Sequence, residues 1–197
     1  MTEISIETVR KMIANRNTSY KLFLMKYLAL EISLSKTVFS FKKLACGMVS
    51  EAWEYYEQNF YRFTKNDRIF DLVEYSLGKS DEITIYTHKR QVFDFLWNNT
   101  DKYIIKMLKS LVAMVQFRLL VPFVDSKELS GLTWDAQNKR IRELSQSIDM
   151  FYTINSDFIT INNDWVKFVS LEREIIIKTV EGIIADEYDK KSYNLRG

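Results

Sequence analysis

The chain has 197 residues, 47% of them hydrophobic and 14% aromatic, with a formal net charge of +2. That length buries a sizeable core, while five glycines and one proline (Pro122) are too few for an all-β domain, which needs turn residues about every 8–12 positions. One cysteine, Cys46, excludes an internal disulfide framework, and the near-neutral charge neither demands nor forbids a nucleic-acid partner.

The N-terminus, MTEISIETVRKM, is polar and mixed in charge, without the basic start and apolar run of a signal peptide. The next stretch, NRNTSYKLFLMKYLALEI, sets seven polar or capping residues before an almost wholly apolar run. Asn15 to Ser19 offer N-cap candidates for a helix running to about Ser35. Lys21, Lys26 and Glu31 fall at different angles on it, so it has no broad solvent face and reads as a central helix. The same three charges argue against a membrane span, and a cytoplasmic protein is expected.

Ser40 caps the next predicted helix, FKKLACGMVSEAWEYYEQNFYRF, where Leu44, Met48, Ala52, Tyr55 and Tyr56 recur at helical spacing beside Trp53 and Phe60. Cys46 lies in its apolar part and reads as a buried, inert thiol. A short helix from Arg68 to Leu77 follows, with Gly78 as its C-cap. EITIYT, from Glu82, is a short strand or an extended helix entry, and Gln91 to Trp97 is helical. Asp101 starts a strongly periodic helix. Its apolar face carries Ile104, Ile105, Leu108, Leu111, Val112 and Val115, and its opposite face Lys102, Lys106 and Lys109. Pro122 ends it near Leu120. VDSKELSGLTW reads as a loop, and Asp135 to Ile148 as a polar helix. FYTINSDFITINNDW holds two β-branched runs around Asn155-Ser156-Asp157, a hairpin at about 151–161. A last helix spans about Asp164 to Tyr188, before a frayed tail. The fold class is mainly α: a helical bundle with a small β-hairpin, one domain over 1–197 whose hairpin-helix subregion covers about 149–190.

No catalytic constellation stands out. His88 is the only histidine, and there is no CxxC or HExxH, so neither a zinc site nor an HNH-type centre has its ligands. Asp81-Glu82 and Lys89 lack the spacing of a carboxylate nuclease. There is no GxxxxGK[ST] or GxGxxG to cradle phosphates. His88 sits in an exposed basic run and has no partner motif for nucleophilic catalysis. No cofactor, metal or catalytic residue is therefore expected. Basic residues carry the remaining signal: Lys102, Lys106 and Lys109; His88, Lys89 and Arg90; and Lys139, Arg140 and Arg142. Each group is either an ordinary solvated face or a set of phosphate contacts, and nothing resembles a base-reading motif. Arg16 and Lys21 beside a helix start add an anion-binding candidate. The aromatic density around Trp53, Tyr55, Tyr56 and Tyr61 suggests either covered core rings or a protein interface.

The order NRNTSYKLFLMKYLALEI, FSFKKLACGMVSEAWEYY, LLVPF and FYTINSDFITINNDW resembles the N-terminal helical region of certain bacterial HNH-endonuclease-domain proteins. The Met-x-x-Glu-Ala-Trp element is matched by Met48, Glu51, Ala52 and Trp53. Val121-Pro122 matches the Val-Pro segment, and Trp165 the tryptophan after the hairpin. The likeness covers about residues 13–170. In that family the nuclease module follows this region, whereas here no second histidine follows, so no catalytic residue carries over. The resemblance implies a non-catalytic accessory subunit of an anti-phage defence or DNA-processing complex. Such a subunit would bind other protein subunits (an ATPase or a nuclease) and sequence-nonspecific DNA backbone. Two alternatives stay open: the N-terminal part of an HNH-type endonuclease or a degenerate one, and a stand-alone DNA-binding regulator.

Overall fold

The computed structural model describes residues 3–14, 18–57 and 67–194. Its helices are α1 (Ile6–Ile13), α2 (Tyr20–Glu31), α3 (Phe41–Glu57), α4 (Ile69–Leu77), α5 (Lys89–Asn98), α6 (Lys102–Arg118), α7 (Ser126–Leu129), α8 (Trp134–Ser145) and α9 (Asn163–Asn194). Strands β1 (Val38–Ser40), β2 (Tyr152–Ile154) and β3 (Phe158–Ile161) form one antiparallel sheet in the order β1-β3-β2. The fold is mainly α with a small sheet, as the scarcity of glycine and proline predicts.

The centre of the bundle is α2, whose residues Leu22 to Ala29 are all buried. It packs against α1, α3, α6 and α9. This is why an apolar sequence with scattered charges is stable there: each side of the helix meets another helix. Close approach of α2 and α3 depends on Gly47, because a Cβ at that position would lie 2.4 Å from the Tyr27 ring. Trp53 on α3 is 1% exposed, and its Nε1–H donates to the Thr84 carbonyl at 3.1 Å. Trp53 is thus a core ring. Cys46 is fully buried, and burial pushes its thiol up to about 12.

The predicted hairpin forms, with Tyr152 opposite Ile161 and Ile154 opposite Ile159. It gains a third strand that was not expected, as Val38 pairs with Thr160 and Phe39 with Ile159. Alternation sets Ile159 and Ile161 inward, while Phe158 and Thr160 are more exposed. Several predicted boundaries change. α2 stops at Glu31 rather than near Ser35, where a Ser33–Lys36 bridge turns the chain into β1. The N-terminal segment forms α1, capped by the Ser5 side chain accepting from the Thr8 amide. Glu82 to Thr87 is a turn, not a strand. The predicted loop after Val124 contains α7, capped by Asp125. Gly78 does cap α4, but at φ −78°, so a left-handed residue is not required there. α9 continues through Asn194, where fraying was expected after Tyr188.

Candidate functional site

The exposed face of α6 is positioned from its N-terminus. The Asp101 side chain accepts from the Tyr103 and Ile104 amides at 2.7 and 3.1 Å. These bonds, led by that from Ile104, hold its carboxyl below the usual range. The Tyr75 hydroxyl donates to Asp101 at 3.2 Å, and the Tyr75 and Tyr103 rings lie 4.2 Å apart. Ile104, Leu108, Leu111, Val112 and Val115 are buried and Ile105 half-buried, so burial fixes the helix rotation. Lys102, Lys106 and Lys109 then lie exposed within one arc of the opposite face. None has an acidic partner within 4.0 Å among the described residues. From Lys102 to Lys109 the helix rises about 10 Å, roughly three base steps of a nucleic-acid strand.

Several of the other basic candidates are engaged elsewhere in the fold. Lys21 donates to the Ala14 carbonyl at 3.0 Å, satisfying the end of α1, so it is a structural cation rather than a member of the α6 stripe. Arg16 lies outside the described residues, as does Tyr61. His88 caps α5, its Nδ1 accepting from the Arg90 amide at 3.3 Å. Lys89 turns to Glu51 at 3.1 Å, and Arg140 to Glu128 at 2.7 Å and Glu143 at 3.5 Å. The predicted basic clusters at His88–Arg90 and Lys139–Arg142 are therefore divided between internal contacts and solvent. Tyr55 and Tyr56 are half-buried and face inward partners: Tyr55 is 5.5 Å from the Phe23 ring, and Tyr56 stacks on Phe70 at 6.3 Å.

Against α3 lies a charge cluster that sequence reasoning did not find. Lys26, 4% exposed, reaches Glu181 at 3.0 Å, Glu51 at 3.6 Å and Glu54 at 4.0 Å. It also donates to the Tyr55 hydroxyl at 3.1 Å. Burial acts to lower the Lys26 pKa, but the hydrogen bonds to Tyr55 and Glu181 and the charge of Glu51 outweigh it and hold the ammonium protonated. Burial pushes the Glu51 carboxyl up, against the pull of Lys89 and Lys26. The cluster sets three carboxylates around two ammonium groups, one formal negative charge in excess. One hint was legible: a lysine among continuous apolar residues must either snorkel or be paired.

Comparison with protein-family models, curated proteins and solved structures gives no match. The chemistry must be read from the site itself. Among the described residues no group of three or more His, Cys, Asp or Glu side chains is arranged to hold a metal ion. The thiol of Cys46 is buried, and the imidazole of His88 caps α5. No helix among the described residues is long and apolar enough to cross a membrane. What the arrangement offers chemically is a row of ammonium groups without acidic partners among the described residues, suited to bind anions.

Proposed function

We propose that the chain is a non-catalytic subunit that holds DNA by its phosphate backbone within a DNA-processing or anti-phage complex. The observation that carries the reading is the exposed row of Lys102, Lys106 and Lys109, without acidic partners among the described residues, on a helix fixed by its buried face. Phosphate contact uses such cations and gives affinity without sequence preference, because the bases are not touched. The setting in DNA processing or defence rests on the motif order alone. A protein partner is supported by Leu171 and Ile175, which stand 83% and 50% exposed one turn apart on α9.

The test is binding of a labelled short duplex by fluorescence anisotropy between about 50 and 200 mM salt. Affinity is expected to be insensitive to sequence. Replacing Lys102, Lys106 and Lys109 with Ala together should flatten the plot of log K against log salt by nearly three, at about 0.9 per phosphate contact. An unchanged slope removes the stripe from the interface. Incubation of the wild-type chain with supercoiled plasmid and magnesium or manganese separates the nuclease alternative. No nicking is expected, and metal-dependent nicking abolished by a point substitution would replace this reading.

A further inference from the structure

The other edge of α6 forms one wall of a cavity of about 640 Å³ between the start of α3, α8 and the hairpin turn. Its floor is apolar, from Phe41, Leu108, Val112 and Phe117. Lys42, Lys109 and Arg142 stand at it as cations, and among the described residues Asp157 is the one carboxylate lining it. None of the three cations has an ion pair among the described residues. Lys42 lies over the Trp97 ring at 5.0 Å and Arg142 over Phe117 at 5.7 Å. These ring contacts leave both charges without a counter-ion. The rim is also fixed. Phe41 donates its amide to the Asp157 carbonyl at 2.8 Å, tying the hairpin turn to α3. Arg118 donates to Gln137 and Asn138, both at 3.1 Å, and stacks on Trp134 at 3.8 Å, tying α8 to α6.

Gln116 lines the same cavity while only 4% exposed. Its Oε1 has almost no accessible surface, so that oxygen lies behind the cavity wall and out of reach of a ligand. The volume lies within the range of small-molecule sites, roughly 300–1,000 Å³, which combine apolar walls with a few placed polar groups.

We infer that this cavity binds a small amphipathic carboxylate, its apolar body on the α6 floor and its anionic head among Lys42, Lys109 and Arg142. The site is separate from duplex binding except at Lys109, where the two faces of α6 meet. Charge complementarity selects the anion, and the apolar floor selects a ligand with a hydrocarbon or aryl body over a free phosphate.

The experiment is isothermal titration of the full chain with decanoate and, as a control of equal tail length, decyltrimethylammonium. Decanoate is expected to bind one to one, and the cationic amphiphile about tenfold more weakly or not at all. Lys42→Ala with Arg142→Ala should weaken decanoate about tenfold or more. Ala113→Trp, at an exposed position on the cavity wall, should abolish binding while circular dichroism and thermal unfolding stay those of the wild type. Lys102→Ala with Lys106→Ala should leave decanoate binding unchanged even though it weakens duplex binding, so the two readings fail separately. Equal binding of both amphiphiles, or binding indifferent to Ala113→Trp, would overturn the proposal. So would decanoate remaining inert while a synthetic acidic amphipathic helix binds, an outcome that would assign the groove to a protein partner.

Discussion

The carboxylate of Asp67 caps a helix whose N-cap residue lies 48 positions before it, accepting from the Ser19 amide at 2.8 Å. In return the Tyr20 hydroxyl accepts from the Arg68 amide at 2.9 Å, so α2 and α4 steady each other's first turns. Local capping of α2 by its own side chains was expected from Asn15 to Ser19. Ser19 instead makes no side-chain cap bond, and its buried hydroxyl has no partner among the described residues. Asn15 and Asn17 lie outside the described residues. Asp67→Ala is expected to cost about 1–3 kcal/mol, because it strands a buried amide. Ser19→Ala should fall within about 0.5 kcal/mol of wild type. Urea unfolding of the two variants decides the matter: a larger loss from Ser19→Ala would return the cap to the local segment.

Gly47→Ala is expected to destabilise by about 1–3 kcal/mol, since the added methyl would enter the Tyr27 ring rather than the flexible end of a side chain. The clash should be specific to that ring. Tyr27→Leu in the same chain should make room, leaving a coupling energy of about 0.5–3 kcal/mol in a double-mutant cycle. Simple additivity of the two changes would mean that α2 and α3 can separate without cost.

Lys26→Met is expected to destabilise by about 3–5 kcal/mol, because it leaves the buried carboxylate of Glu51 facing Glu54 and Glu181 with one cation fewer. Adding Glu51→Gln should recover part of the loss by removing that charge. Chemical denaturation at neutral pH gives both values. A single variant as stable as wild type would show that the cluster relaxes into solvent.

Alkaline pH should weaken the fold. Burial raises the Cys46 thiol from an ordinary 9.0 to about 12 and the Tyr20 phenol from 10.0 to about 12, and Lys26 is also raised above 10.5. For each group the folded state binds the proton more tightly than the unfolded chain. Its contribution is complete below the unfolded value and disappears as pH rises toward the folded one. A rise of that size at Cys46 corresponds to a loss on the order of 4 kcal/mol between pH 9 and 12. Cys46→Ala should flatten this part of the stability–pH profile after correction for its lost volume. An unaltered profile would indicate that the thiol ionises in place.

Fold and site were legible to different degrees because they depend on different ranges of interaction. α6 was readable from its own residues: Asp101 caps it, its buried positions recur at helical spacing, and Pro122 bars its continuation. The hairpin was readable from β-branched runs around Asn155-Ser156-Asp157. β1 was not, since Val38-Phe39-Ser40 is too short to alternate and becomes a strand only against β3. The α6 lysines stayed on the predicted face because helical geometry alone places them. Lys21 and Lys89 were lost from the basic surface because their partners, Ala14 and Glu51, lie on other elements. No local pattern announced the cavity, which is enclosed by α3, α6, α8 and the hairpin turn.

The pairing of β1 with β3 has a consequence for how the chain comes into being. α2 and β1 leave the ribosome about 130 residues before α9 begins. At about 5–20 residues per second, roughly 7–26 s pass before they meet their last partners. Throughout that interval Phe39 lacks its neighbour Ile159, Lys26 lacks Glu181, and the Ile32 carbonyl lacks the Arg173 guanidinium that later donates to it at 2.7 Å. A nascent chain in this state exposes an apolar helix and an unpaired strand edge together, the surface that holdase chaperones recognise and that aggregation exploits. The hazardous stage of this protein's life is thus its synthesis, and slowing translation before α9 should lower its soluble yield more than slowing it afterwards.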